Sequence, residues 1–135
     1  MIYQLASLLD FFGPARLLQS YTVLIGLALF TGFILTYILL PKFYNKLPHD
    51  RGREFTAHAE AAKGKPTGSG VVFITIFVIL AFVLIPLNWL QIVILVLTWL
   101  TMLTGYLDDK SVNSWGEYRK AVLDLILAIG ASIAL

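Results

Sequence analysis

Two stretches of this chain carry no charged residue, one between Arg16 and Lys42 and the other between Lys65 and Asp108. Each ends in a polar segment dense in charge. Tyr21 to Leu40 is long enough to cross a hydrocarbon core, which takes about 20 residues of helix, and Pro41-Lys42 is expected to stop it. Residues 41–69 then form a polar loop. Within the second stretch Pro86-Leu87-Asn88 turns the chain, leaving spans at 71–87 and 89–107, with Trp89 placed as an aromatic interface anchor. A second polar loop runs over 108–120, and 121–135 starts a further apolar segment. Ile2 to Phe12 is apolar but short and is broken by Gly13-Pro14, which predicts a helix lying in the interface rather than across it. The pattern predicts an all-α fold: a polytopic transmembrane helix bundle with three full spans, the start of a fourth and a short N-terminal interfacial helix, forming one domain or part of one.

Composition sharpens this picture. With 59% apolar and 13% charged residues, the chain lacks the polar surface of an ordinary soluble domain. It has no cysteine, which removes disulfides and thiolate metal sites, and a net charge of +2 makes no case for nucleic acid. Nothing before Leu9 is basic, so the start does not read as a cleavable signal. Of the ten Lys/Arg, six fall in the first loop (Lys42, Lys46, Arg51, Arg53, Lys63, Lys65) and three in the second (Lys110, Arg119, Lys120). That bias predicts both loops in the cytoplasm and the N-terminus outside.

Candidate chemistry lies in those loops. Asp108-Asp109 is an adjacent carboxylate pair at the mouth of a hydrophobic helix, where charge is costly to keep without a use. Neighbouring side chains on a helix diverge by roughly 100°, yet both can reach a point beyond the helix end. Mg²⁺ suits this arrangement, because it takes one or two carboxylates and completes its octahedron with water and substrate phosphate. Alternatively one aspartate binds metal or substrate while the other accepts a proton. A bare Asp-Asp pair is more often solvated loop, so its companions matter.

The companion is Gly64-Lys65-Pro66-Thr67-Gly68-Ser69-Gly70 at the start of the second span. Its glycines allow close backbone approach, Lys63 and Lys65 supply positive charge, and Thr67 or Ser69 is placed to cap the following helix. A helix N-terminus behind such a loop favours phosphate. It is not a Walker A loop, since Pro66 stands where Ser or Thr would hold the metal. His49 and His58 lack the spacing of a zinc helix. Asp124, four residues after Lys120, predicts a helix-surface ion pair. The Trp115–Lys120 run is expected to anchor the fourth span at the membrane surface.

A basic loop ending in Lys-Gly-Lys-Pro-Thr-Gly-Ser-Gly, two spans, then Gly-Tyr-Leu-Asp-Asp resembles the N-terminal part of the phospho-N-acetylmuramoyl-pentapeptide transferase (MraY) family. That family lies within the polyprenyl-phosphate N-acetylhexosamine-1-phosphate transferases. Its glycine-rich pattern is Lys-x-Gly-Thr-Pro-Thr-Met-Gly-Gly. Gly64, Pro66, Thr67 and Gly70 fit; Lys65, Gly68 and Ser69 depart, and the family lysine falls on Ala62, beside Lys63. In the aspartate motif, Asp-Asp-x-x-Lys, Asp108 and Asp109 fit while Val112 holds the lysine position and Lys110 follows the pair directly. The resemblance is to a divergent member.

The resemblance implies transfer of phospho-MurNAc-pentapeptide from UDP to undecaprenyl phosphate with release of UMP, at the inner face of a bacterial cytoplasmic membrane. It implies Mg²⁺ as cofactor, with Asp108 and Asp109 as catalytic and metal-binding residues, and Lys63, Lys65 and Thr67 on phosphate oxygens. Partners would be the bilayer and the two substrates, with a homodimer left open. Further family loops lie downstream of the matched part, so the chain is expected to be an N-terminal portion, inactive alone. Two alternatives stand: a polyprenyl-phosphate GlcNAc-1-phosphate transferase for another envelope polymer, and a small non-enzymatic membrane subunit using its aspartates structurally.

Overall fold

The computed structural model describes residues 13–49, 64–111 and 115–134. Among them are four α-helices: α1 (Tyr21–Phe43), α2 (Gly70–Leu84), α3 (Trp89–Lys110) and α4 (Glu117–Ala134). Short 3-10 turns cover Gly13–Gln19 and Tyr44–Lys46. The only strand-like pairing among the described residues is an isolated antiparallel bridge between His49 and Pro66. The all-α expectation therefore holds. The interfacial helix expected over Ile2–Phe12 lies outside the described residues.

The first and third spans begin where expected, at Tyr21 and Trp89, and the other helix boundaries depart from the expected ones, most with a local cause. Pro41 does not stop α1, which continues through it to Phe43. A proline in the last turn removes one rung of the hydrogen-bond ladder, and its fixed φ remains helical. Pro86 acts harder on α2: it pushes Ile85 to an extended conformation (φ −100°, ψ 139°), so the helix ends at Leu84 rather than 87. Asn88 opens α3 with a capping box, its side chain accepting from the Gln91 amide and the Gln91 side chain from its own, both at 2.9 Å. The helix runs on to Lys110, so Asp108 and Asp109 occupy its last turn instead of opening a loop. There the Ser111 hydroxyl and amide donate to the Asp108 carbonyl. Helix α4 begins at Glu117, ahead of the expected 121, where the Gly116 carbonyl takes the Arg119 and Lys120 amides.

Tyr21–Lys46, counting the 3-10 extension of α1, and Trp89–Lys110 are long and apolar enough to cross a membrane. Only 6% of either span is buried within the protein, so their apolar surface faces outward, as lipid requires and a soluble core helix does not. Leu29, Phe33 and Tyr37 are all more than 70% exposed. Helix α2 is equally apolar, but its 15 residues reach only about 22 Å at 1.5 Å per residue. The expected full second span is thus a shorter helix completed by extended residues after Leu84.

The helices pack on their sequence neighbours, and the contacts fix alternating directions. A β-carbon on Gly32 of α1 would lie 3.3 Å from Leu80 Cδ1 of α2, and one on Gly130 of α4 would lie 3.5 Å from Leu97 Cδ2 of α3. Between α2 and α3, the Trp99 indole donates to the Thr75 hydroxyl at 3.2 Å. Residues 75 and 99 sit at similar distances from the 85–88 turn, as an antiparallel hairpin demands. An indole N–H facing hydrocarbon needs a partner, and Thr75 supplies it. Thr98 and Thr101 return their hydroxyls to carbonyls one turn back. The result places the described flanks of both charged loops at one end of the molecule and the 85–88 turn at the other.

Candidate functional site

At the charged end the two sides of the first loop are tied together. The Pro48 carbonyl accepts from the Thr67 amide at 2.7 Å and the Thr67 hydroxyl at 3.1 Å. Thr67 therefore does not cap α2. Ser69 holds the N-cap position without a side-chain bond, so neither residue caps the helix in the expected way. The glycine-rich stretch turns through two left-handed residues, Gly64 (φ 84°) and Gly68 (φ 68°).

Gly68 is the point of contact with α3. A β-carbon there would sit 3.1 Å from Tyr106 Cδ2, 3.3 Å from Pro48 Cγ and 3.6 Å from Asp109 Oδ2. The sequence motifs thus converge: the antiparallel hairpin brings a loop some forty residues upstream onto the aspartate-bearing turn. Lys65 is exposed beside it, and the Lys110 ammonium lies 6.0 Å above the Tyr106 ring.

Asp108 faces the other way. Its Oδ2 is 2.7 Å from Lys120 Nζ, and its Oδ1 accepts the Trp115 amide at 2.7 Å. The expected pair of Lys120 with Asp124 is replaced by this one. Asp124 instead lines, with Thr104, Asp108, Trp115 and Lys120, a small cavity of about 110 Å³. Arg119 stacks over the Trp115 ring at 4.3 Å, a cation–π contact that steadies the start of α4.

The two adjacent carboxylates are therefore divided, Asp109 toward the glycine-rich loop and Asp108 toward α4. Of the other expected site residues, Lys65 and Thr67 stand in the loop that meets Asp109. Lys63 and His58 lie outside the described residues, as does Val112. His49 is exposed and pairs with Pro66 through the backbone alone. Sequence reasoning missed Pro48, Tyr106 and the partnership of Lys120 with Asp108. Only the preference of proline and glycine for a tight turn pointed toward the first.

Among the described residues no three His, Cys, Asp or Glu side chains come together. A bound cation would have one or two carboxylates and would take its other oxygens from water and phosphate. That donor set fits Mg²⁺ and does not fit a thiolate or imidazole metal.

Fold and site together define an α-helical membrane protein with a glycine-rich loop and a carboxylate turn meeting at one end. The chain is 52% identical, over 129 residues and 96% of its length, to the phospho-N-acetylmuramoyl-pentapeptide-transferase of Treponema pallidum, in each of two strains. It is 32% identical over 149 aligned positions to the protein of the same name from Opitutus terrae. The chain spans a little over a third of the length of the Treponema relatives, 36%, and 40% of the Opitutus one. No family model matches it, and no solved structure does. The chain is homologous to the phospho-N-acetylmuramoyl-pentapeptide-transferases over the part of them that it covers, the family its two motifs resemble, and it is a bacterial membrane protein.

Proposed function

We propose that this chain supplies the phosphate-handling end of a transferase that moves phospho-MurNAc-pentapeptide from its UDP carrier to undecaprenyl phosphate, releasing UMP. The observation that carries the reading is the approach of the glycine-rich loop to Asp109 at one end of the α2–α3 hairpin. One substrate is a soluble diphosphate and the other a lipid phosphate, so they must meet at a membrane surface. A charged helix end directly above an apolar hairpin is such a place. The basic bias of both loops supports a cytoplasmic position for this end.

In this reading Lys65 holds phosphate oxygens, joined by Lys63, while Thr67, whose amide and hydroxyl both go to the Pro48 carbonyl, fixes the loop that carries them. The aspartate pair provides the carboxylate side of a Mg²⁺ site; the cation would neutralise the diphosphate. The attacking oxygen belongs to the lipid phosphate and the leaving group is UMP, so the protein's work is chiefly positioning and charge compensation.

The test is a chimera in which this chain replaces the matching stretch of the Treponema pallidum relative. In proteoliposomes it should release UMP from UDP-MurNAc-pentapeptide only when undecaprenyl phosphate and Mg²⁺ are both present. Asp109→Asn should leave yield unchanged and cut release by at least about 100-fold, the scale of losing a key electrostatic group. Preference for UDP-GlcNAc would move the reading to the related sugar-1-phosphate transferases. Near-normal turnover in Asp109→Asn would leave the aspartates as a polar helix end.

A further inference from the structure

We infer that the groove between the end of α3 and the start of α4 holds one anionic phospholipid of the surrounding bilayer, with its phosphate on Arg119 and an acyl chain below. The groove measures about 530 Å³. Its rim carries Arg119, Tyr118 and Trp115, and its wall is Leu107 of α3 with Val122 and Leu123 of α4. Val122 and Leu123 follow Tyr118 and Arg119 by one helical turn, so wall and rim are stacked along α4. A phospholipid has the same order, a charged head above hydrocarbon. Leu107, Val122 and Tyr118 are exposed, so the groove is open to lipid from the side. Tyr118 and Trp115 stand where aromatic rings meet headgroups.

Charge selects among lipids. Lys120 is neutralised by Asp108, and Lys110 stands over the Tyr106 ring. Arg119 is exposed, and among the described residues it has the Trp115 ring at 4.3 Å and no carboxylate in ion-pairing range. Glu117 points about 200° away from it around the helix. Asp124 lines the small cavity with Lys120. Stacking fixes the guanidinium plane and leaves its edge N–H groups to grip a phosphate. A zwitterionic head would bring its own ammonium to the same place, so a lipid of net negative charge is the better match. The groove is also separate from the meeting point of α3 with the glycine-rich loop. Thr104 and Leu107 line the groove, whereas Tyr106 and Asp109 face the loop. At 100° per residue those two faces stand about 160° apart on α3. The lipid site therefore does not rest on the transferase reading.

Native mass spectrometry of the chain, released from nanodiscs of equal phosphatidylglycerol and phosphatidylcholine, counts the lipids it keeps. The wild type should keep one phosphatidylglycerol, favoured by about fivefold, the weight of one basic side chain near an anionic surface. Arg119→Gln should abolish the preference, and Arg119→Lys should retain part of it, since the charge stays while the planar stack is lost. Val122→Trp should expel the lipid by filling the groove with Arg119 intact. Lys46→Gln, whose native ammonium lies over Phe43 after α1, should change nothing, which separates a groove from diffuse attraction to basic loops. Equal retention of the two lipids by the wild type would overturn the proposal. So would a preference that survives Arg119→Gln, that survives Val122→Trp, or that is lost equally in Lys46→Gln. Undecaprenyl phosphate mixed into the same discs and replacing the retained phosphatidylglycerol would make the groove a substrate site instead. A dimer that Val122→Trp splits would give it to a second copy of the chain.

Discussion

Replacing Gly68 by alanine puts the junction between loop and helix under a load that can be worked out from its geometry. At φ 68° an L-residue sits in the left-handed region, at a cost of roughly 1–2 kcal/mol. The added methyl would also stand 3.1 Å from the Tyr106 ring and 3.3 Å from Pro48, closer than carbon atoms settle. Relieving that contact means moving an aromatic ring or the loop backbone, about 1–3 kcal/mol by analogy with overpacked cores. Together these disfavour the docked loop by about 2–5 kcal/mol, or about 30- to 4,000-fold in population at 1.4 kcal/mol per tenfold. The loop rests on α3 through few contacts, so it should lift away while the helices stay folded.

Two neighbouring glycines calibrate the result. Gly64 is also left-handed, at φ 84°, but no described atom comes within 4 Å of its added carbon, so Gly64→Ala carries only the conformational part. Gly70 is helical and equally open, so Gly70→Ala should be neutral. Hydrogen exchange over residues 65–70 in nanodiscs, read beside UMP release in the chimera, should rank the variants Gly68→Ala, Gly64→Ala, Gly70→Ala from most to least affected. Adding Tyr106→Ala should recover part of the Gly68→Ala loss. If Gly68→Ala behaved like Gly70→Ala, the loop would not be docked on α3 as described, and its approach to Asp109 would lose its basis.

Lys65→Ala should mainly raise the KM for the nucleotide, with kcat little changed, since it removes a phosphate contact present before reaction as well as during it; a fall in kcat alone would contradict that role. Cysteines placed at Lys46 and Val112 should resist an impermeant thiol reagent in intact cells while one at Asn88 should label, and the chain's lack of native cysteine makes the readout clean. Labelling in the reverse pattern would put the aspartate end outside and exclude a cytoplasmic nucleotide sugar. Asn88→Ala removes the side chain that accepts the Gln91 amide and should cost about 1 kcal/mol of stability in a denaturant titration, whereas Asn88→Ser should recover most of it.

The chain's own pattern determined that it is helical and membrane-embedded, because charge and hydrocarbon do not mix: the two uncharged stretches between Arg16 and Lys42 and between Lys65 and Asp108 admit no other solvent. It also marked the two segments that meet at the candidate site, since glycines in a basic loop and paired aspartates at a helix end are local features written in consecutive residues. Helix ends were legible to within a few positions. They erred where the outcome turned on one backbone bond, as at Pro41, or on a carboxylate held from another helix, as at Asp108. What only the tertiary structure decided was partnership. The pairing of Asp108 with Lys120 rather than Lys120 with Asp124, the seat of Gly68 between Tyr106 and Pro48, and the separation of two adjacent carboxylates all depend on the direction in which neighbouring helices run. The antiparallel packing of the helices fixes that direction. Spacing along one helix shows which side chains share a face; which group from another helix stands opposite that face is settled only when the helices pack.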